Sequence, residues 1–332
     1  MTIENWLRPD ANGLYCIPGG FHIDPARPVA RALITHGHSD HARPGHQAYL
    51  ATPETVAIMR LRLGANLNYQ QAAYHQTQII QDVKVTFIPA GHVLGSAQIM
   101  LEYQGKRAII SGDYKRTPDP TCAAFEPKPC DLFITEATFG LPVFTHEPVE
   151  KEIARLINSL KQNNTRNHLL GVYGLGKCQR VIKQLRLQNY HETIYLHGAL
   201  QAMCKLYEAH GIELGDLRPV SEVDAKSLSG ALILCPPSET QTRWAQKFGD
   251  AIHAFASGWM RVRARARQRG ADLPLIISDH ADWPELLRTI EDVQAPEIWV
   301  THGREDALVH QLTKMGRKAR ALAMIGFEEE AE

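Results

Sequence analysis

The segment Thr35-His36-Gly37-His38-Ser39-Asp40-His41 sets three imidazoles and a carboxylate within six positions, directly after the apolar run Arg31-Ala32-Leu33-Ile34-Thr35. In extended backbone His36 and His38 project to one side, because side chains alternate with period two. Gly37 and Ser39 are small enough to let the chain turn, so that Asp40 and His41 converge on the same point. A nitrogen and oxygen donor set of this kind is what a divalent metal site requires. A polar surface loop accounts for one histidine at a strand end, but not for H-x-H-x-D-H.

Further candidates recur in the same setting, at the end of an apolar strand and mostly beside glycine. They are His92 in Pro89-Ala90-Gly91-His92, Asp113 in Ser111-Gly112-Asp113, His280 in Ser278-Asp279-His280 and His302 in Thr301-His302-Gly303. Taken singly, His92 or His302 is as well read as a loop histidine. Strand ends in a layered α/β protein gather along one rim, so distant positions of this type can meet.

The elements that would position them divide into two textures. Residues 1–140 read as short strands, with Thr52-Pro53-Glu54 opening a capped helix and Gln104-Gly105-Lys106 forming a hairpin turn. From about Glu147 the pattern alternates: helix 150–162, strand 168–173, helix 177–187, strand 193–196, helix 200–210. Such alternation predicts a parallel sheet covered by helices. After about Arg261 come strand 275–278, helix 284–293, strand 298–301 and a last helix. Three segments are therefore expected, 1–144, 145–260 and 261–332, with the middle one inserted into a core built from both ends of the chain.

Composition narrows the class. The 332 residues carry 36 basic and 36 acidic side chains, so any positive field for an anionic partner must be local. With 44% apolar and 22% charged residues, disordered, collagenous and disulfide-scaffold classes are excluded. The six cysteines form no C-x-x-C pair, and no apolar run approaches the ~18 residues of a membrane span. The opening residues lack a secretory h-region, and a reduced, cytoplasmic protein is expected. The Glu328-Glu329-Glu330 run is expected to be a solvated end.

H-x-H-x-D-H, Gly91-His92-Val93-Leu94-Gly95-Ser96-Ala97 and Ser111-Gly112-Asp113 resemble the motifs of the metallo-β-lactamase fold. Glu136, Ser278-Asp279-His280-Ala281-Asp282 and Thr301-His302-Gly303 resemble the additional motifs of its nucleic-acid-processing β-CASP branch. Within that branch, Tyr173-Gly174-Leu175-Gly176-Lys177 and Ser257-Gly258-Trp259-Met260 look like the bacterial ligase-associated DNA exonucleases, relatives of the DNA cross-link repair nucleases. The resemblance implies a four-layer αββα sandwich with an inserted α/β β-CASP domain.

It also implies two divalent ions, Zn2+ with Mn2+ as the alternative. His36, His38 and His92 would hold one, Asp40, His41 and His302 the other, and Asp113 would bridge them. The pair would acidify a water that attacks a phosphodiester. His280 would protonate the leaving oxygen, Glu136 would hold His280, and Asp24 would orient a ligand. The implied function is a metal-dependent DNA exonuclease in DNA repair, with an ATP-dependent DNA ligase and a helicase as partners. The alternative is a β-CASP ribonuclease of the RNA 3′-end processing kind, in which a histidine at the position of His302 is usual. Small-molecule hydrolases of the same fold, and a non-catalytic nucleic-acid-binding protein, are disfavoured.

Two further patterns carry weaker readings. Gly171 to Lys177 matches G-x-x-x-x-G-K, but a P-loop needs Ser or Thr next and Cys178 is there. Gly174, Gly176 and Lys177 are expected either to hold a phosphate or simply to cap a helix. Arg261, Arg263, Arg265, Arg267 and Arg269 follow Ser257 without an intervening acid. Their i, i+2 spacing spreads them around a helix, unlike an ordinary amphipathic stripe. Ser257, Arg261, Arg263 and Arg265 are expected to contact nucleic acid near the expected interdomain cleft.

Overall fold

In strand Leu132–Ala137 every residue is buried, and neighbouring side chains belong to different cores. Leu132 and Ile134 join one apolar cluster, whereas Phe133 and Ala137 join another. A strand covered on both faces reads as a continuous apolar run because alternation has no solvent side to report. Full burial of a side chain of this size is worth about 1.5–3 kcal/mol relative to exposure.

The computed structural model describes residues 2–303 and 305–322. The Glu328-Glu329-Glu330 run lies outside the described residues. The chain divides into two compact units, one made of the residues up to Phe144 and those from His280 on, the other Thr145–Asp279.

Among the described residues of the first unit there are two sheets. The six-stranded one runs Leu7–Asp10, Gly13–Cys16, Phe21–Ile23, Ala32–Leu33, Tyr49–Ala51, Tyr69–Gln71. The seven-stranded one runs Lys318–Ala321, Glu297–Gly303, Leu132–Ala137, Lys106–Ile110, Ala97–Tyr103, Val83–Pro89, Gln78–Ile80. One cluster draws on both, with Leu14, Ile23, Leu33 and Leu50 from the first and Val85, Phe87, Ile99 and Leu101 from the second. The opposite face of the second sheet packs Ile109, Phe133 and Ile298 against Leu286 and Ile290 of helix Trp283–Val293 and Leu308 and Leu312 of helix Glu305–Lys314. The opposite face of the first packs Ala32, Ile34 and Tyr49 against Val56 and Met59 of helix Pro53–Leu63.

That last helix begins where Thr52-Pro53 predicts. The Thr52 hydroxyl accepts from Thr55 N at 3.3 Å and donates to Gly95 O at 2.6 Å, which ties the helix start to the loop carrying His92. Gln104 and Gly105, with φ of 49° and 74°, make the two-residue hairpin turn between the paired Tyr103 and Lys106.

His46 lies in the same unit, buried, with Nδ1 accepting from Val29 N at 3.3 Å. Burial pulls its pKa from 6.5 to about 4. The unfolded chain therefore binds a proton that the folded chain refuses between those values. The contribution is complete above pH 6.5 and is lost as the pH falls toward 4. In His46→Asn, whose side-chain oxygen keeps an acceptor, the urea midpoint should fall less between pH 7 and pH 5 than in the wild type. Equal falls would remove His46 as a source of acid sensitivity.

The second unit holds a six-stranded parallel sheet in the order Leu217–Pro219, Ile194–Leu196, Leu232–Cys235, His168–Gly171, Ile252–Ala256, Leu273–Leu275. Helix Val149–Gln162 leads into its first strand, and helices Lys177–Leu187 and Gly198–Ala209 connect later ones, close to the expected ranges. Its end differs from the expected boundary at 260. Residues 261–279 stay with this unit because Leu273–Leu275 pairs with Ile252–Ala256 at its edge. No helix among the described residues is long and apolar enough to cross a membrane.

Candidate metal centre

Ala32, Leu33 and Ile34 are held in the first sheet by register, with Ala32 N bonded to Ala48 O and Ile34 N to Leu50 O, both at 2.9 Å. The ladder stops there, and the next residues turn into the unit as the loop carrying His36 to His41. Gly37 is required in that loop by contact, since a Cβ there would lie 2.5 Å from Ile58 Cγ2 on helix Pro53–Leu63. Gly112 has φ +55° and would place a Cβ 2.7 Å from that of Thr35, so the Asp113 loop and the His36 loop touch backbone to side chain.

Among the groups of potential ligands that result, two four-residue ones share one residue. His36, His38, His92 and Asp113 form the first; Asp40, His41, Asp113 and His302 form the second. Within each, one donor atom per residue lies within 4.8 Å of the others. Asp113 Oδ2 is 3.3 Å from His36 Nε2 and from His41 Nε2, and Oδ1 is 3.4 Å from His302 Nδ1. His92 Nε2 and His38 Nδ1 are 3.0 Å apart.

Thr35 and Asp24 orient the rings. Asp24 accepts from Thr35 N at 2.8 Å and from the Thr35 hydroxyl at 2.6 Å. With its proton committed to Asp24, the hydroxyl accepts from His36 Nδ1 at 3.0 Å, which leaves the His36 Nε2 lone pair aimed at Asp113. His41 Nδ1 donates to Asp24 at 2.8 Å and turns its Nε2 the same way. Ser96 sets the remaining loop, its hydroxyl accepting from His92 N and Val93 N, each at 3.1 Å.

His36 Nε2 and Asp40 Oδ1 are buried and make no hydrogen bond among the described residues. An unsatisfied buried polar atom costs about 1–3 kcal/mol, and a cation in each group would satisfy one of the two. A donor set of imidazole and carboxylate without cysteine suits Zn2+ or Mn2+. Burial, helped by His41, holds His36 down at about 4, so it is a neutral donor at ordinary pH. Burial opposes charge on His41, yet Asp40, Asp113 and Asp24 together raise its pKa well above 6.5. Burial likewise opposes charge on Asp113, but His41 and hydrogen bonds from its neighbours keep it far below the usual carboxylate range.

Beside these ligands, His280 Nδ1 donates to Glu136 Oε2 at 2.9 Å, and Glu136 Oε1 accepts from Tyr114 N at 2.7 Å. The His280 and His92 rings are 4.6 Å apart. His280 is thus held through Nδ1 within reach of the ligand groups.

The candidates in the second unit fall elsewhere in chemistry. Lys177 is buried and pairs with Asp279 at 2.8 Å. The glycine turn before it uses its own donors, with Gly176 N on Gln179 Oε1, Lys177 N on Leu175 O and Cys178 N on Tyr173 O. Gly174 O accepts from Gln179 Nε2 at 2.9 Å. The Ser257 hydroxyl accepts from Trp259 N and caps a short turn. Arg261 and Arg263 are exposed, whereas Arg265 lies 3.7 Å over the Trp259 ring and Arg269 5.2 Å over Phe255. Thr35, Ser96 and Tyr114 were not legible as site residues. Thr35 stands next to His36, but no spacing marks a hydroxyl as the hub of a site.

No protein-family model matches the chain. A protein named probable DNA ligase from Opitutus terrae is 30% identical over 326 residues, which is 96% of this chain and 31% of that one. Endoribonuclease YSH1 of Kluyveromyces lactis is 37% identical over 128 residues, covering 36% of this chain and 16% of its own. Cleavage and polyadenylation specificity factor subunit 3 of Dictyostelium discoideum is 33% identical over 145 residues, 41% of this chain and 18% of its own. The chain resembles the β-CASP nucleases of the metallo-β-lactamase fold. It spans under a third of the length of each of these relatives. A crystal structure of a protein of unknown function from Enterococcus faecalis V583 shares the fold of this β-CASP-like chain, with a TM-score of 0.57 at 13% identity over 82% of this chain and 75% of that one.

Proposed function

We propose that this protein is a metal-dependent nuclease that hydrolyses phosphodiester bonds, acting as a DNA exonuclease in repair. The observation that carries this reading is Asp113, a buried carboxylate common to two four-residue donor groups. One ion in each group, Zn2+ or Mn2+, would supply Lewis-acid charge and water acidification at a phosphodiester. His36, His38, His92 and Asp113 would hold one ion, and Asp40, His41, His302 and Asp113 the other. The paired sheets with helices on their outer faces are read as the αββα sandwich, and Thr145–Asp279 as the β-CASP domain.

The chain's own groups supply the rest. Glu136 fixes His280 through Nδ1, which makes Nε2 the atom that delivers a proton to the leaving oxygen. Asp24 and Thr35 keep His41 and His36 in the tautomers that ligation needs. The name of the Opitutus terrae relative, probable DNA ligase, favours DNA as substrate; an ATP-dependent DNA ligase and a helicase are proposed as partners from the family resemblance alone. RNA is the second reading, supported by His302 and by the endoribonuclease name of the Kluyveromyces lactis relative.

Purified protein is incubated with 5′- and 3′-labelled DNA and RNA, with Zn2+ or Mn2+. Mononucleotides released from DNA alone support the first reading, internal cuts in RNA the second. No cleavage with either metal would sink both.

Arg261 and Arg263 are taken as phosphate-binding groups because they are exposed and lie in a run without acids. Each phosphate left without its cationic partner reduces the slope of log affinity against log salt by about one. Arg261→Ala with Arg263→Ala should therefore flatten that slope by about two for double-stranded DNA. An unchanged slope removes them from the interface.

A further inference from the structure

Helix Trp283–Val293 opens three residues after His280, and its N-terminus carries a bond pattern that a simple cap does not need. Asp282 caps the helix, accepting from Glu285 N at 3.1 Å, and Glu285 Oε2 returns to Asp282 N at 3.2 Å. In a capping box that return bond is the whole task of the glutamate. Here it is the longest of four. Glu285 Oε2 also accepts from Lys115 Nζ at 2.6 Å, and Oε1 accepts from Thr117 N at 2.7 Å and the Thr117 hydroxyl at 2.6 Å. Three of its four donors come from 115–117, the segment leaving the shared ligand Asp113.

The same two segments meet twice more. Ala281 N donates to Tyr114 O at 2.6 Å, and Tyr114 N donates to Glu136, which holds His280. Arg116 reaches the helix as well, pairing with Asp292 at 2.6 Å and reaching the Thr289 hydroxyl at 3.4 Å. Lys115 is buried and Glu285 is kept ionised, burial being outweighed by the Lys115 charge and the Thr117 bonds.

We propose that Glu285 is a positioning residue for the reaction, clamping the segment after Asp113 to the helix after His280 and so fixing the distance between the proton donor and the ligand groups. The proposal rests on the reading of His280 as the general acid. Misplacement of a reacting group by about 1 Å can cost on the order of a hundredfold in rate. Glu285 touches neither substrate nor reacting atoms, so its effect passes through His280.

A proton donor matters only when the leaving group needs a proton. Two substrates separate the roles: a thymidine dinucleotide, whose leaving alkoxide requires protonation, and the p-nitrophenyl ester of thymidine 5′-monophosphate, whose leaving phenolate does not. The purified Zn2+- or Mn2+-loaded protein is compared with Glu285→Ala, Glu285→Gln and His280→Asn on both. Glu285→Gln keeps the side-chain size and one acceptor, so it guards against a variant that fails to fold. The expected result is a loss of about tenfold or more in kcat on the dinucleotide for both Glu285 variants, with KM unchanged and less than about threefold loss on the nitrophenyl ester. His280→Asn should show the same split, more strongly. Equal losses on both substrates, or no loss, in the Glu285 variants while His280→Asn keeps its split would overturn the positioning role alone. Absence of the split in His280→Asn would overturn the acid reading and this proposal with it.

Discussion

Asp113→Ala reduces hydrolysis to the background rate and abolishes stabilisation by added metal. Each other ligand belongs to one of the two donor groups, but Asp113 belongs to both, with its two oxygens facing His36 and His41 on one side and His302 on the other. A ligand that binds only the folded state stabilises it by about 2.7 kcal/mol at a hundredfold excess over its Kd. Wild-type protein titrated with Zn2+ should gain stability on that scale, and Asp113→Ala should gain almost none. His38→Ala and Asp40→Ala should also abolish turnover, each losing a ligand from one group, while the folded circular-dichroism spectrum is retained. Full turnover in any of the three would end the two-metal reading. The gain from metal should itself shrink as the pH is lowered, because His41, held protonated by three carboxylates, must give up its proton to become a ligand.

His280→Asn lowers kcat by about 10²–10⁴ on polynucleotide, the range for loss of a positioned general acid. Glu136→Gln lowers it by less, about 10–100-fold, as removal of an orienting partner does. The reason lies in the Nδ1 edge, through which Glu136 holds His280. Its Nδ1 bond to Glu136 at 2.9 Å sets both tautomer and ring plane, and Tyr114 N holds the other carboxylate oxygen. Steady-state kinetics on labelled DNA read both variants. A Glu136→Gln loss larger than that of His280→Asn would place Glu136 in a role of its own.

Much of the molecule is legible along the chain because its signals are local. Periodicity of 3.6 marks Val149–Gln162 as a helix, Thr52-Pro53 marks where another begins, and Gln104-Gly105 marks a hairpin. The dense motif at 36–41, and single His or Asp residues at strand ends beside small residues, name the donors without showing that they meet. Composition says less than position, since most of the sixteen histidines take no part in the site.

Other features are set only by contact between distant segments. The register of Ala32–Leu33 and Lys106–Ile110 in their separate sheets brings Gly112 against Thr35, and that approach makes Asp113 common to both donor groups. Thr35 becomes the hub that fixes His36 because Asp24, eleven positions away, takes its hydroxyl proton. Lys177 pairs with Asp279, and the glycine turn satisfies its own donors, neither of which the G-x-x-x-x-G-K spacing records. Leu273–Leu275 extends the inserted unit past 260 by edge pairing, a contact without local signature. Residue types and local spacing determine which groups can act; which lone pairs face one another is decided by tertiary packing, because hydrogen-bond partners across two sheets have no fixed separation along the chain.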